Sequence, residues 1–82
     1  MSDTKHKPLY EIAAIIRADW TSVNYAAEPY LSAMSELNQI TDKYYLDDAR
    51  SIVIYFLGNA NTWRGATAKT IKAELKLIAG IK

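Results

Sequence analysis

The run Ile52-Val53-Ile54-Tyr55-Phe56-Leu57 decides the fold class of this chain. Six consecutive β-branched, aliphatic and aromatic residues read either as a buried strand or as the centre of a buried helix, and periodicity alone does not separate the two. No second segment makes a convincing strand to pair with it. Asp47 and Asp48 ahead of it suit a helix N-terminus, Ala49 and Arg50 continue a helix, and its length to Ala60 is helical. The expectation is therefore an all-α chain.

The other segments agree. Pro8 is preset for a helix start, and Leu9, Ile12, Ile15, Ile16 and Trp20 follow at steps of three and four, predicting a helix over 8–20. Thr21-Ser22-Val23-Asn24 competes for backbone hydrogen bonds and reads as a turn. Pro29 opens a second helix, 27–39, with Tyr30, Leu31, Met34 and Leu37 on one face. The third spans 47–59, with Gly58 or Asn59 suited to a left-handed cap. Thr62 suits the cap of a fourth, 62–79, whose buried stripe is Ala68, Ile71, Leu75 and Ile78, and which Gly80 stops. The result is one compact domain of four short helices over residues 8–82, behind a disordered polar tail at 1–7.

At 82 residues without a cysteine, such a domain has no disulfide to support it and buries only about 60% of the surface its unfolded chain exposes. The expected core is Leu9, Ile12, Ile15, Ile16, Trp20, Leu31, Met34, Leu37, Ile52, Val53, Phe56, Leu57, Ile71, Leu75 and Ile78. Of the six tyrosines, Tyr30 and Tyr55 are assigned to the core, and Tyr44 and Tyr45 to the surface. A homodimer would ease the small-core problem.

The residue inventory narrows the chemistry. The absence of cysteine excludes thiolate zinc sites and cysteine catalysis, and the single histidine, His6, leaves no histidine cluster or Ser-His-Asp set within one chain. No phosphate-binding loop, dinucleotide fingerprint or His-Glu-x-x-His pattern occurs. Asp47 and Asp48 are adjacent carboxylates, but capping explains them better than catalysis or metal ligation. The expectation is a non-enzymatic protein with no cofactor, metal or catalytic residues. The polar start has no apolar signal core, and no apolar run approaches the roughly 20 residues of a membrane span. A cytoplasmic protein with no membrane partner is expected.

Charge is the least uniform property. Residues 8–57 hold Arg17, Lys43 and Arg50 against seven acids, net −4, whereas 58–82 hold Arg64, Lys69, Lys72, Lys76 and Lys82 against Glu74, net +4. On a helix, Lys69, Lys72 and Lys76 fall within about 60° of one another, opposite the buried stripe. They form either a contact for phosphate or an acidic protein, or simply the solvated face of an amphipathic helix. Trp63 and Arg64 belong to residue types enriched at binding hot spots; alternatively Trp63 closes the core and Arg64 pairs with Asp47 or Asp48. Helix-turn-helix registers centred on Gly58 or Gly65 misplace the small and apolar anchors, for instance Ile54 or Asn61 at the small position.

Arg50 to Leu57, followed by Asn59-Ala60-Asn61-Thr62-Trp63-Arg64-Gly65 and Ala68-Lys69, is similar to small uncharacterised proteins encoded by plasmids, phages and other bacterial mobile elements. The similarity spans about residues 9–78, and the segment around Trp63-Arg64-Gly65 is its most specific part. It implies a bacterial, cytosolic, compact helical protein without an established active site. The functional expectation is an interaction module that binds a protein through Trp63, Arg64, Lys69, Lys72 and Lys76. The alternative is salt-dependent nucleic-acid binding through the same helix.

Overall fold

Helix 1 runs from Leu9 to Asp19, one residue inside the expected 8–20 at each end with Pro8 as its N-cap, and its first N–H groups show how the chain turns back on itself. The computed structural model describes residues 7–44 and 47–80. In order, the elements are α1 (Leu9–Asp19), α2 (Glu28–Met34), β1 (Lys43–Tyr44), β2 (Asp47–Asp48), α3 (Ala49–Gly58) and α4 (Ala66–Ala79). The run that decides the fold class is helical.

Four hydrogen bonds define the topology. Leu9 N–H donates to the Asn38 carbonyl at 2.9 Å, joining the start of α1 to the chain beyond α2. The Asn24 side-chain amide, ahead of α2, donates to the Asn59 carbonyl after α3 at 3.4 Å. Arg50 Nε, at the start of α3, donates to the Ala79 carbonyl at the end of α4 at 2.7 Å. Trp63 Nε1, ahead of α4, donates to Asp19 at the end of α1 at 2.8 Å. Successive helices therefore run in opposite directions, and each packs on its two neighbours in the chain, with α4 closing on α1. The Cα radius of gyration, 11.8 Å, agrees with the roughly 12 Å expected for a folded chain of this length.

The ring encloses one core. It contains twelve of the fifteen expected residues; Ile15, Leu57 and Ile78 are only partly buried against it. The remainder of the core is Trp63 and seven alanines, at 13, 27, 33, 49, 60, 68 and 79. Alanines at helix contacts let backbones approach closely, which suits helices of seven to fourteen residues. Tyr55 is a correction: it lies half exposed, its ring 5.5 Å from that of the half-buried Tyr30. The side chains of Tyr44 and Tyr45, and the tail at 1–6, lie outside the described residues.

Several boundaries differ from expectation for identifiable reasons. Helix 2 stops at Met34 rather than reaching 39, because the N–H groups of Asn38 and Gln39 both donate to Asp42 at 3.0 Å instead of to the preceding turn. These bonds, Gln39 first and Asn38 second, hold the Asp42 carboxyl below its ordinary pKa. Helix 3 begins at Ala49 rather than 47. Asp48 is its N-cap, accepting from Ser51 N–H at 2.8 Å, and that bond is the main reason its pKa falls. Asp47 instead faces Tyr44 in a two-residue antiparallel ladder, while Lys43 faces Asp48. Neither Gly58 nor Asn59 adopts the expected left-handed conformation; Gly58 is the last helical residue and Asn59 has φ −113°.

Helix 4 starts at Ala66, not 62, and Thr62 does not cap it. Its N-cap is Gly65 at φ 114°, ψ 179°, a region essentially confined to glycine. Gly80 stops the helix at φ 75°, as expected. The two glycines 58 and 65 thus give opposite expectations with the same substitution. Gly65→Ala should lower stability by about 1–3 kcal/mol through backbone strain. Gly58→Ala, in a helix with open space at the added methyl, should raise it by about 0.4–1 kcal/mol. Urea unfolding of the two variants checks both signs.

Candidate functional site

The segment from Asn59 to Gly65 carries the chain from the end of α3 to the start of α4, and its shape is set by where Trp63 goes. Asn61 and Thr62 form a turn, Trp63 N–H bonds the Ala60 carbonyl at 3.1 Å, and the indole enters the core. Trp63 is only 2% exposed. Its ring stacks on Trp20 at a centroid distance of 5.8 Å and an interplanar angle of 12°, while Phe56 meets Trp20 edge-on at 6.2 Å. The polar edge of the indole is satisfied by the Asp19 carboxylate. Of the two readings left open for Trp63, the structure gives the core residue, so it is not part of an exposed contact surface.

Lys72 is tied to the same unit. Its Nζ donates to the Trp63 carbonyl at 2.7 Å and lies 5.9 Å from the ring centroid. The residue is partly buried, and its pKa is lowered first by desolvation and then by the charges of Arg64 and Lys76. Lys72 thus locks the start of α4 onto the segment before it, with the charges of Arg64 and Lys76 within electrostatic range.

Arg64, Lys69 and Lys76 are exposed. Arg64 does not pair with Asp47 or Asp48; its one bond is from Nε to the Asn61 carbonyl at 3.5 Å. The other internal arginines are committed to holding helices together. Arg17 bonds Glu28 at 3.1 Å and Ser32 at 3.1 Å, linking α1 to α2, and Arg50 covers the C-terminal carbonyl of α4. Arg17–Glu28 is the one ion pair among the described residues. The proposed basic surface therefore divides into one lysine used structurally and three cations directed to solvent.

Little else converges near them. Among the described residues no group of three or more histidine, cysteine, aspartate or glutamate side chains could hold a metal ion. A cavity of about 440 Å³ lies at the other end of α4, lined by Lys7, Pro8, Leu9, Asn38, Gln39, Ile40 and Ile78. A shallower depression follows the first turns of α4 along Ala66, Thr67, Thr70 and Ile71. Neither includes Asp47 or Asp48. No described helix is long and apolar enough to cross a membrane.

Residue patterns pointed to the cations but not to Asp19, whose role depends on a tryptophan 44 positions away. Comparison with models of protein families, with characterised proteins and with solved structures finds no match to this chain.

Two outcomes follow from this geometry. Trp63→Ala should cost about 3–5 kcal/mol, measured by thermal or urea unfolding. In an NMR titration, Lys72 should lose its proton below the ordinary 10.5, and Arg64→Gln with Lys76→Gln should move it back upward. Because the folded state releases that proton before the unfolded chain does, this group's contribution to stability rises as pH climbs from the depressed value towards 10.5.

Proposed function

We propose that this chain is a non-enzymatic interaction module whose exposed cations, Arg64, Lys69 and Lys76, bind an acidic surface on a partner protein. The observation that carries the reading is the different use of charge across the molecule. Arg17, Arg50 and Lys72 are engaged by a carboxylate, a helix terminus and a backbone carbonyl, whereas Arg64, Lys69 and Lys76 have no carboxylate partner among the described residues. Unpaired cations on a helix and in the segment just ahead of it steer an oppositely charged partner and fix its register. Arg64 adds a planar fork that suits a carboxylate. Trp63 supports this surface from beneath rather than touching the partner.

From the resemblance over residues 9–78 we infer a bacterial cytosolic setting, and we propose host or element-encoded machinery as the partner. Nucleic acid is the competing partner for the same cations, and salt separates the two. Phosphate binding weakens steeply and log-linearly with salt because each neutralised phosphate releases counterions.

The test is affinity capture from bacterial lysate, followed by titration of the captured protein with Arg64→Ala, Lys69→Ala and Lys76→Ala, singly and together. Lys72→Ala completes the scan, with its fold checked separately because that side chain also holds the Trp63 carbonyl. The triple variant should bind at least about tenfold more weakly while unfolding at the parental temperature. Unchanged affinity would remove these residues from the interface. Amide shifts confined to 62–76 on adding duplex DNA, reversed by moderate salt, would transfer the function to nucleic acid.

A further inference from the structure

Beside the cations, the outward face of α4 has a second pattern that the core does not use. Ala66, Thr70, Ala73 and Leu77 recur at intervals of four, three and four and are all exposed; Leu77 is 71% exposed. At 100° per residue they occupy a sector of about 60°, opposite the buried Ala68, Ile71, Leu75 and Ala79. The centre of this outward face therefore carries no charge, although solvent-facing helix surfaces are normally charged.

The charges sit on its two edges, and they differ in sign. Lys69 and Lys76 follow one edge, and Thr67 and Glu74 the other. Glu74 makes no ion pair among the described residues. These positions are the seam and flanks of a heptad: Ala66, Thr70, Ala73 and Leu77 at the contact, lysines on one flank, glutamate on the opposite flank.

We propose that this face packs against the same face of a second copy of the chain, with the two α4 helices side by side and parallel. The charge spacing selects both the occupant and the direction. In a parallel pair, a flanking residue meets the residue five positions further along the opposite flank of its neighbour, so Lys69 meets Glu74 of the second copy, twice by symmetry. An antiparallel pair brings like flanks together, lysine against lysine. The alanines permit close approach of the helices, and Leu77 meets its own counterpart across the two-fold axis.

A helix of fourteen residues is about 21 Å long, only two heptads, and two of the four seam residues are alanine. The area covered falls below that of a standard stable interface, so the dimer is weak and reversible. It leaves Arg64 and Lys72 outside the seam. The inference does not rest on the proposed acidic partner.

Sedimentation of the full chain across a range from micromolar to millimolar concentration tests it. The expected result is a rise in mass towards the dimer, a shift of at least about tenfold to higher concentration for Lys69→Glu, and recovery for Lys69→Glu combined with Glu74→Lys. The chain has no cysteine, so Leu77→Cys supplies a single crosslinking probe. Under mild oxidation it should form disulfide dimers well ahead of Ala14→Cys, on the exposed side of α1. A monomer at every concentration, failure of the charge exchange to restore association, or equal crosslinking of the two cysteine variants would each overturn the proposal. The exchange also distinguishes the two readings, since it restores the dimer without restoring Lys69 to an acidic partner.

Discussion

The stack of Trp63 on Trp20 is the contact on which the rest of this small fold depends. It joins the end of α1 to the segment that launches α4, and so closes the ring of helices. Without a disulfide, the chain has to hold that closure by side-chain burial, and two indoles in contact provide more apolar area than any aliphatic pair it contains. The Asp19 carboxylate makes the burial acceptable by receiving the indole N–H. Gly65 then makes the turn that lets α4 begin at Ala66, three residues after Trp63.

This closure also determines which charges reach solvent. Once Trp63 is inside, its carbonyl captures Lys72, and Arg64 is left outside, within electrostatic range of Lys72. At the far end of the same helix, Arg50 covers the Ala79 carbonyl. The described arginines and the lysines of α4 are thus sorted by the fold into those that hold helices together and those that face outward. The functional reading depends on that sorting more than on the net charge of +1.

The helical class and most of the core were legible because they depend on local repetition. Leu9, Ile12 and Ile16 recur at helical spacing, and Asp48 announces a helix start whatever lies elsewhere in the chain. What was not legible depends on contacts distant in sequence. The early end of α2 needs Asp42 to return to Asn38 and Gln39. Trp63 lies in an irregular segment, where periodicity carries no information about burial, and its partners are Asp19 and Trp20. Gly65 was the available signal that α4 starts late, since a glycine three residues into a supposed helix costs stability and a glycine before one does not. Four cations were visible as candidates around the last helix, but only the structure separates Lys72 from Arg64, Lys69 and Lys76.

Hydrogen exchange of the Trp63 indole N–H, followed by NMR, tests the closure most directly. If the Trp20–Trp63–Asp19 unit holds the fold together, that proton exchanges only on global unfolding, with the same free energy as the most protected core amides of α1 and α3. Exchange at the rate of an exposed indole, while those amides stay protected, would show that Trp63 opens independently and that the ring does not depend on it.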